Sequence, residues 1–327
     1  MDIGAIFGTI LWPIKWVVEL ILVAFHQLFT VMGLDPAAGL TWVLSIVGLT
    51  VVVRAALIPV FVRQIKNQRR MLEVAPQLKK IQDKYKGKKD QFSREAMSRE
   101  TMELYKKTGT NPLSSCLPLL LQMPVFFSLF QVLNGAQSGK AGVGPLNATL
   151  AVQFGNAKLF GIAPLHQSFS GALNHHPPQV AVMVIAAVMV VLMTASQFIT
   201  QLQIVSKNMS PETKASPQFK QQRILLYLLP FVFLFSGFAF PLGVMFYWLT
   251  SNIWTMVQQF VVIRNMPTPG SEAAKAREAR LAKKGKLVND EGVVVLSIDE
   301  QPQKPVTTQR AQPVGKNRAK KQAGGKK

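Results

Sequence analysis

The chain has 327 residues, of which 49% are hydrophobic and only 16% charged, yet its formal net charge is +21. A soluble domain of ordinary composition does not combine these values, so apolar and basic residues must be segregated along the chain. A single cysteine, Cys116, excludes an internal disulfide and a cysteine zinc site or iron–sulfur cluster built within one chain.

The opening MDIGAIFGTI has no basic leader and is followed by no small-residue cleavage site, so the expected mature start is Met1. Residues 10–32 are apolar, but Lys15, Glu19, His26 and Thr30 fall within about 60° of one another on a helical projection. With Trp12 and Trp16 near its start, this stretch predicts an amphipathic helix lying in the outer interface, within an N-terminal segment 1–40. The competing reading is a true span with its N-terminus inside.

Five stretches are apolar and long enough to cross a hydrocarbon core as helices, which takes roughly 17 to 25 residues each. They are 41–62, 113–133, 179–203, 224–240 and 243–263. Between the last two, Pro241 and Gly243 permit a tight reversal, so those helices are expected as antiparallel neighbours. Orientation follows from Lys and Arg, which are retained on the cytoplasmic side. Segment 63–112 holds 14 of them, 204–223 holds 4 and 264–327 holds 15, whereas the alternate segments hold only Lys15, Lys140 and Lys158. The prediction is an all-α polytopic membrane protein with its N-terminus outside and its C-terminus in the cytoplasm.

Segment 63–110 reads as a cytoplasmic helical hairpin. Met71, Val74, Leu78, Ile81 and Tyr85 recur at steps of three and four, with lysines on the other faces. Its tip is placed at 86–90, where Gly87 breaks the helix, and the returning arm carries Phe92, Met97 and Leu104. The outer connection 134–178 predicts a short helix and loops. Its adjacent His175 and His176 point to different helix faces, and the loop contains no carboxylate, so no metal site is expected. The basic segment 265–327 is expected to be a disordered cytoplasmic tail.

Arg54 is the sharpest single residue, because an ionised side chain within a span costs about 2.5 to 3.5 kcal/mol on insertion scales. No Asp or Glu lies in the five spans to neutralise it. One reading has it snorkelling to the cytoplasmic headgroups. The favoured one places it in a water-filled cavity, which Thr50, Gln122, Gln197, Tyr247, Trp248 and Asn252 can also line. Each of these polar residues also fits a role as interhelical hydrogen-bond glue. Pro59, Pro118, Pro124 and Pro230 suit helix kinks. The sequence has no phosphate-binding GxxxxGK[ST] loop, HExxH or nucleophile elbow, so neither enzymatic catalysis nor a cofactor is expected.

Three stretches carry a family resemblance: IVGLTVVVRAALIPV around Arg54, LYKKTGTNPLSSCLPLLLQMPVFFSLFQVL after the basic hairpin, and GVMFYWLTSNIWTMVQQ in the last span. In order and spacing they resemble the YidC family of membrane protein insertases and its mitochondrial and thylakoid relatives. The match resembles the form without a large extracytoplasmic domain. It implies a five-helix core around a hydrophilic groove, open to the cytoplasm and to lipid and closed outside. Arg54 would be the groove arginine, Thr50 its neighbour, and Tyr247 with Trp248 an aromatic pair contacting the substrate. The implied partners are nascent membrane proteins, the Sec translocon, the ribosome through the hairpin and tail, and anionic lipids, in a bacterial plasma membrane. A small-molecule substrate is not implied. For the tail, which has 14 basic residues over 275–327, attraction to anionic lipid competes with ribosomal RNA. An anion channel using Arg54 is the alternative function, and a purely structural assembly scaffold is a third.

Overall fold

The computed structural model describes residues 3–88, 90–111, 117–209 and 237–288, together with 211, 214, 228 and 294–297. The expected fourth span, 224–240, lies mostly outside the described residues, as does 112–116 of the NPLSSC motif.

Helix α1 covers Ile3–Val31 and packs on α2, Gly39–Ala56, and on α5, Leu117–Gln137. Its polar stripe faces the protein. Glu19 and His26 are buried, while Val17, Leu20 and Leu28 on the opposite side are exposed. That arrangement reverses the pattern of a water-facing helix and presents an apolar face outward. The helices approach closely at Gly48, where a Cβ would stand 2.6 Å from the Phe25 ring. His26 lies 4.0 Å, centroid to centroid, from the fully buried Trp42, and its Nε2 is 2.9 Å from the Pro36 carbonyl oxygen. Among the described residues, Leu11–Val31, Gly39–Ala56 and Val180–Lys207 are long and apolar enough to cross a membrane.

One helix is expected over 41–62, but the structure interrupts it at Leu57, and α3 runs over Ile58–Lys84. Pro59 supplies the reason. It lacks the N–H that would bond the Ala55 carbonyl, and the chain tightens so that Val60 N–H reaches the Leu57 oxygen at 3.1 Å. The first arm of the hairpin therefore grows directly out of α2 rather than starting at Arg63.

The arm ends at Lys84, and Gly87 takes the left-handed φ of 85° that the reversal needs. Asp90 caps α4, Gln91–Thr108, by accepting from the Ser93 N–H at 2.8 Å. Val74 and Leu78 are buried, whereas Phe92 and Met102 on the returning arm are exposed.

The connection after α5 contains α6, Ala148–Asn156, the strands β1, Lys158–Leu159, and β2, Ala163–Pro164, and α7, Phe169–Leu173. It is more ordered than the single short helix expected. Helix α8, Val180–Leu202, ends in a π-helical turn over Gln203–Lys207, and α9 covers Leu242–Asn265.

Of the segment 265–327, expected as a disordered tail, residues 265–288 and 294–297 are described. They hold α10, Glu272–Ala282, and an antiparallel strand pair, Lys286–Val288 with Val294–Ser297. EAAKAREARLA has high intrinsic helix propensity, and the Ser271 hydroxyl accepts from the Ala274 N–H at 3.2 Å as a cap. The described residues from Glu278 onward belong to a unit separate from Met1–Arg277.

The main core gathers Leu22 from α1, Trp42, Ile46 and Leu49 from α2, Leu129 and Leu133 from α5, Val182 and Ala186 from α8, and Leu242 and Met245 from α9. On α2 the buried residues stop at Thr50, and Val51 and Val52 beyond it are exposed. The packed end is thus the end bearing the 134–178 connection. Toward the other end, α3 and α9 leave an apolar cavity of about 310 Å³ between Ile58, Val62 and Ile65 on one side and Trp254, Val257 and Val261 on the other.

Candidate functional site

Arg54 sits in the last turn of α2, half-buried, where core packing gives out. Its Nε donates to the Ser251 hydroxyl oxygen at 3.0 Å, and Nη2 donates to the same oxygen. The guanidinium carbon also stands 5.9 Å from the centroid of the Phe61 ring. No carboxylate of the described residues reaches it, so its charge is oriented by neutral groups and not cancelled.

Three other helix positions complete the arrangement. Gln122 Nε2 on α5 donates to the Tyr247 hydroxyl on α9, one turn before Ser251. A chain of polar side chains, bonded in two pairs, thus runs from α2 through α9 to α5, with Tyr247 and Ser251 buried and Arg54 and Gln122 at its half-buried ends. Such a chain can hold a cation in place and leave its outward face for a ligand.

The remaining expected residues fall elsewhere. Thr50 is buried, and its hydroxyl donates to the Ile46 carbonyl of its own helix at 2.7 Å. Trp248 is half-buried in an aromatic cluster, 5.4 Å from Phe126 and 5.3 Å from Phe240 between centroids. Asn252 Nδ2 donates to the Met193 carbonyl at 3.4 Å, tying α9 to α8. Gln197 is half-buried on α8 and enters none of these bonds. Ser251 escaped the sequence reading because a lone serine in a span fits the glue role. The available signal was its position one turn beyond Tyr247 on the same face of α9.

A second polar contact lies at the packed end. The buried Glu19 carboxylate accepts from the Val143 N–H at 2.9 Å and the Gly144 N–H at 2.7 Å. It thereby joins α1 to a connection whose own sequence has no acid. His175 and His176 in that connection are exposed, and among the described residues no three His, Cys, Asp or Glu side chains converge as metal ligands.

On the hairpin, Lys84 donates to the Glu100 carboxylate, which also accepts from the Tyr85 hydroxyl at 2.8 Å. The hydrogen bond from Lys84 holds the Glu100 carboxyl below its ordinary range, and the same bond holds the Lys84 ammonium above its own. Asp90 is likewise held low by the Ser93 N–H at the cap.

The family model for the 60Kd inner membrane protein matches residues 33–269. A membrane protein insertase YidC of Tropheryma whipplei is 47% identical, with 96% of both chains covered. The YidC of Bifidobacterium longum is 36% identical over 95% of each chain. That of Streptomyces avermitilis is 45% identical over 86% of this chain and 64% of its own. The span-forming helices and these matches agree, and the chain belongs to the 60Kd inner membrane protein family, which includes the YidC membrane protein insertases.

Proposed function

We propose that the chain inserts nascent membrane proteins into the bacterial plasma membrane and that the polar site around Arg54 is where it receives them. The single observation carrying this reading is a half-buried guanidinium, held by the Ser251 hydroxyl with no counter-charge among the described residues, where the bundle stops being tightly packed. A short hydrophilic tail of the client enters at that end, and Arg54 attracts its acidic groups into a site where the attraction is less screened than in water. The apolar barrier that the tail must cross is thereby shortened. The client's own helix then partitions into lipid, and burial of apolar area at about 25 cal/mol per Å² drives the step without a nucleotide.

In this reading five helices span the membrane, with α1 in the outer interface, the 134–178 connection outside, and the α3–α4 hairpin and C-terminal segment in the cytoplasm. Tyr247, Gln122 and Ser251 position Arg54, while Trp248 and Asn252 hold the helices around it. Gln197 and Thr50 stay assigned to the groove wall by resemblance. The basic hairpin and tail meet the ribosome or anionic lipid, and the Sec translocon is a partner for larger clients. The alternative of an anion channel gains no support from the relatives compared.

The test is reconstitution in liposomes with a single-span client bearing an acidic N-terminal tail, scored by the protease-protected tail. Arg54→Ala is expected to impair insertion and Arg54→Lys to retain much of it. Equal insertion by Arg54→Ala and the parent for every client tried would remove the groove from the mechanism. Ribosome co-sedimentation that survives deletion of 275–327 would count against RNA binding by the tail.

A further inference from the structure

The β1–β2 turn contains a conflict between sequence and backbone. Phe160 and Gly161, its two central residues, have φ of 53° and 75°, and the Ile162 N–H closes the turn on the Leu159 oxygen at 3.1 Å. Turns with both central φ values positive take Asn-Gly or Asp-Gly, because a bulky side chain strains the left-handed region. Phe160 is the only non-glycine residue among those described with positive φ. The strain secures no packing, since Phe160 is 74% exposed and Ile162 beside it 62%. A large aromatic side chain held at backbone cost and projected away from the protein points to something outside that it meets.

The position of the turn narrows what that is. At Gly39, the first residue of α2, a Cβ would stand 2.5 Å from the Leu159 nitrogen, so the turn is seated directly on the end of a membrane-spanning helix. Leu40 beside it is exposed, as is Lys158 at the base of the turn, and Trp16 is exposed on α1 at the same end of the bundle, against Gly144. The exposed Trp16 ring and Lys158, with the exposed apolar Phe160, Ile162 and Leu40 at the end of a span, match the boundary between headgroups and acyl chains. We propose that Phe160 and Ile162 form an anchor seated in the headgroup zone of the outer leaflet. The anchor fixes the height of the α2 end and of the connection above it. This inference rests on the orientation in the proposed function, which places that end outside.

The experiment uses the full chain in phospholipid vesicles with Cys116→Ala as background. Nitroxide labels are placed one at a time at Phe160→Cys, Ile162→Cys, Asn174→Cys as an exposed connection reference, and Leu192→Cys as an exposed α8 reference. Collision with oxygen and with a water-soluble nickel chelate is measured for each. The expected result is an oxygen-to-nickel ratio at 160 and 162 several-fold above that at 174 and below that at 192. Ratios equal to that at 174 would make the turn a solvated loop and overturn the anchor. Low collision with both reagents would mean that protein covers the turn, which overturns it equally. Sidedness is read separately by a membrane-impermeant thiol reagent on Asn174→Cys in intact cells. Labelling there with a water-like Phe160 removes the anchor alone, whereas labelling only after permeabilisation removes both the anchor and the orientation beneath it.

Discussion

A guanidinium in apolar surroundings must be hydrated or paired, and Arg54 is held by a hydroxyl in place of a carboxylate. A carboxylate would have fixed it more firmly but cancelled the charge that an acidic client tail needs. Under the proposed function, Ser251 therefore serves the site as well as the packing. Hydrogen bonds to charged groups contribute about 1.5 to 3 kcal/mol, and because Arg54 is half-exposed, water replaces part of what Ser251 supplies. Ser251→Ala is expected to slow insertion of an acidic-tailed client by less than Arg54→Ala does, with Ser251→Thr restoring the rate. Indistinguishable rates for all three Ser251 forms would mean that Arg54 needs no positioning. Glu19 is the other residue with disproportionate weight, being buried with two backbone N–H groups on its carboxylate. Glu19→Ala leaves both amides without their acceptor, at about 1 to 3 kcal/mol for each unsatisfied group. A lowered Tm in detergent is expected, with Glu19→Gln intermediate because it keeps one acceptor oxygen. An unchanged Tm in both variants would show that water reaches the site.

Among the elements, the α3–α4 hairpin is the least buttressed, with Val74 and Leu78 buried and Phe92 and Met102 left exposed. The Lys84–Glu100 bond adds a pH window to this thin seam. Glu100 is held below its unfolded value, so its contribution is complete above the ordinary carboxylate range and fades as pH falls through the lowered folded value. Lys84 is held above its unfolded value, so its contribution is complete below the ordinary lysine range and fades as pH rises through the raised folded value. Spin-label distances between Gln77→Cys and Glu103→Cys should be narrowest between those limits and broaden in acid. With Glu100→Gln added, the broadening should already be present at neutral pH. A distribution that is insensitive to both changes would assign the hairpin's cohesion to its apolar seam alone.

At the scale of the molecule, the core lies at one end and the open cavity and the hairpin at the other. That polarity suits a device that admits a client from one side and seals the opposite one. The proposed orientation makes a direct prediction for α1, whose length and composition fit a span and whose polar stripe is buried against the protein instead of facing water. A cysteine at Ile3 should react with an impermeant reagent from outside intact cells. Reaction only from the cytoplasmic side would turn α1 into a sixth span and reverse the start of the chain.

The sequence by itself determined the membrane character, the helical class and the family, because hydropathy, charge segregation and contiguous motifs are local properties. The same holds for the reversal after Lys84, which Gly87 and Asp90 dictate through backbone conformation and capping. The break at Leu57 was legible in Pro59 but was overridden by the length of the apolar run. Other features depended on residues far apart in the chain. Ser251 meets Arg54 across 197 positions and Glu19 meets Val143 across 124, and no periodicity encodes such pairs. That the Thr50 hydroxyl donates to its own helix and that the Trp248 ring stands beside Phe126 depends on which neighbours the packing brings to them. Tertiary structure alone fixes that, since polar groups in a low-dielectric interior take whatever partner the packing supplies.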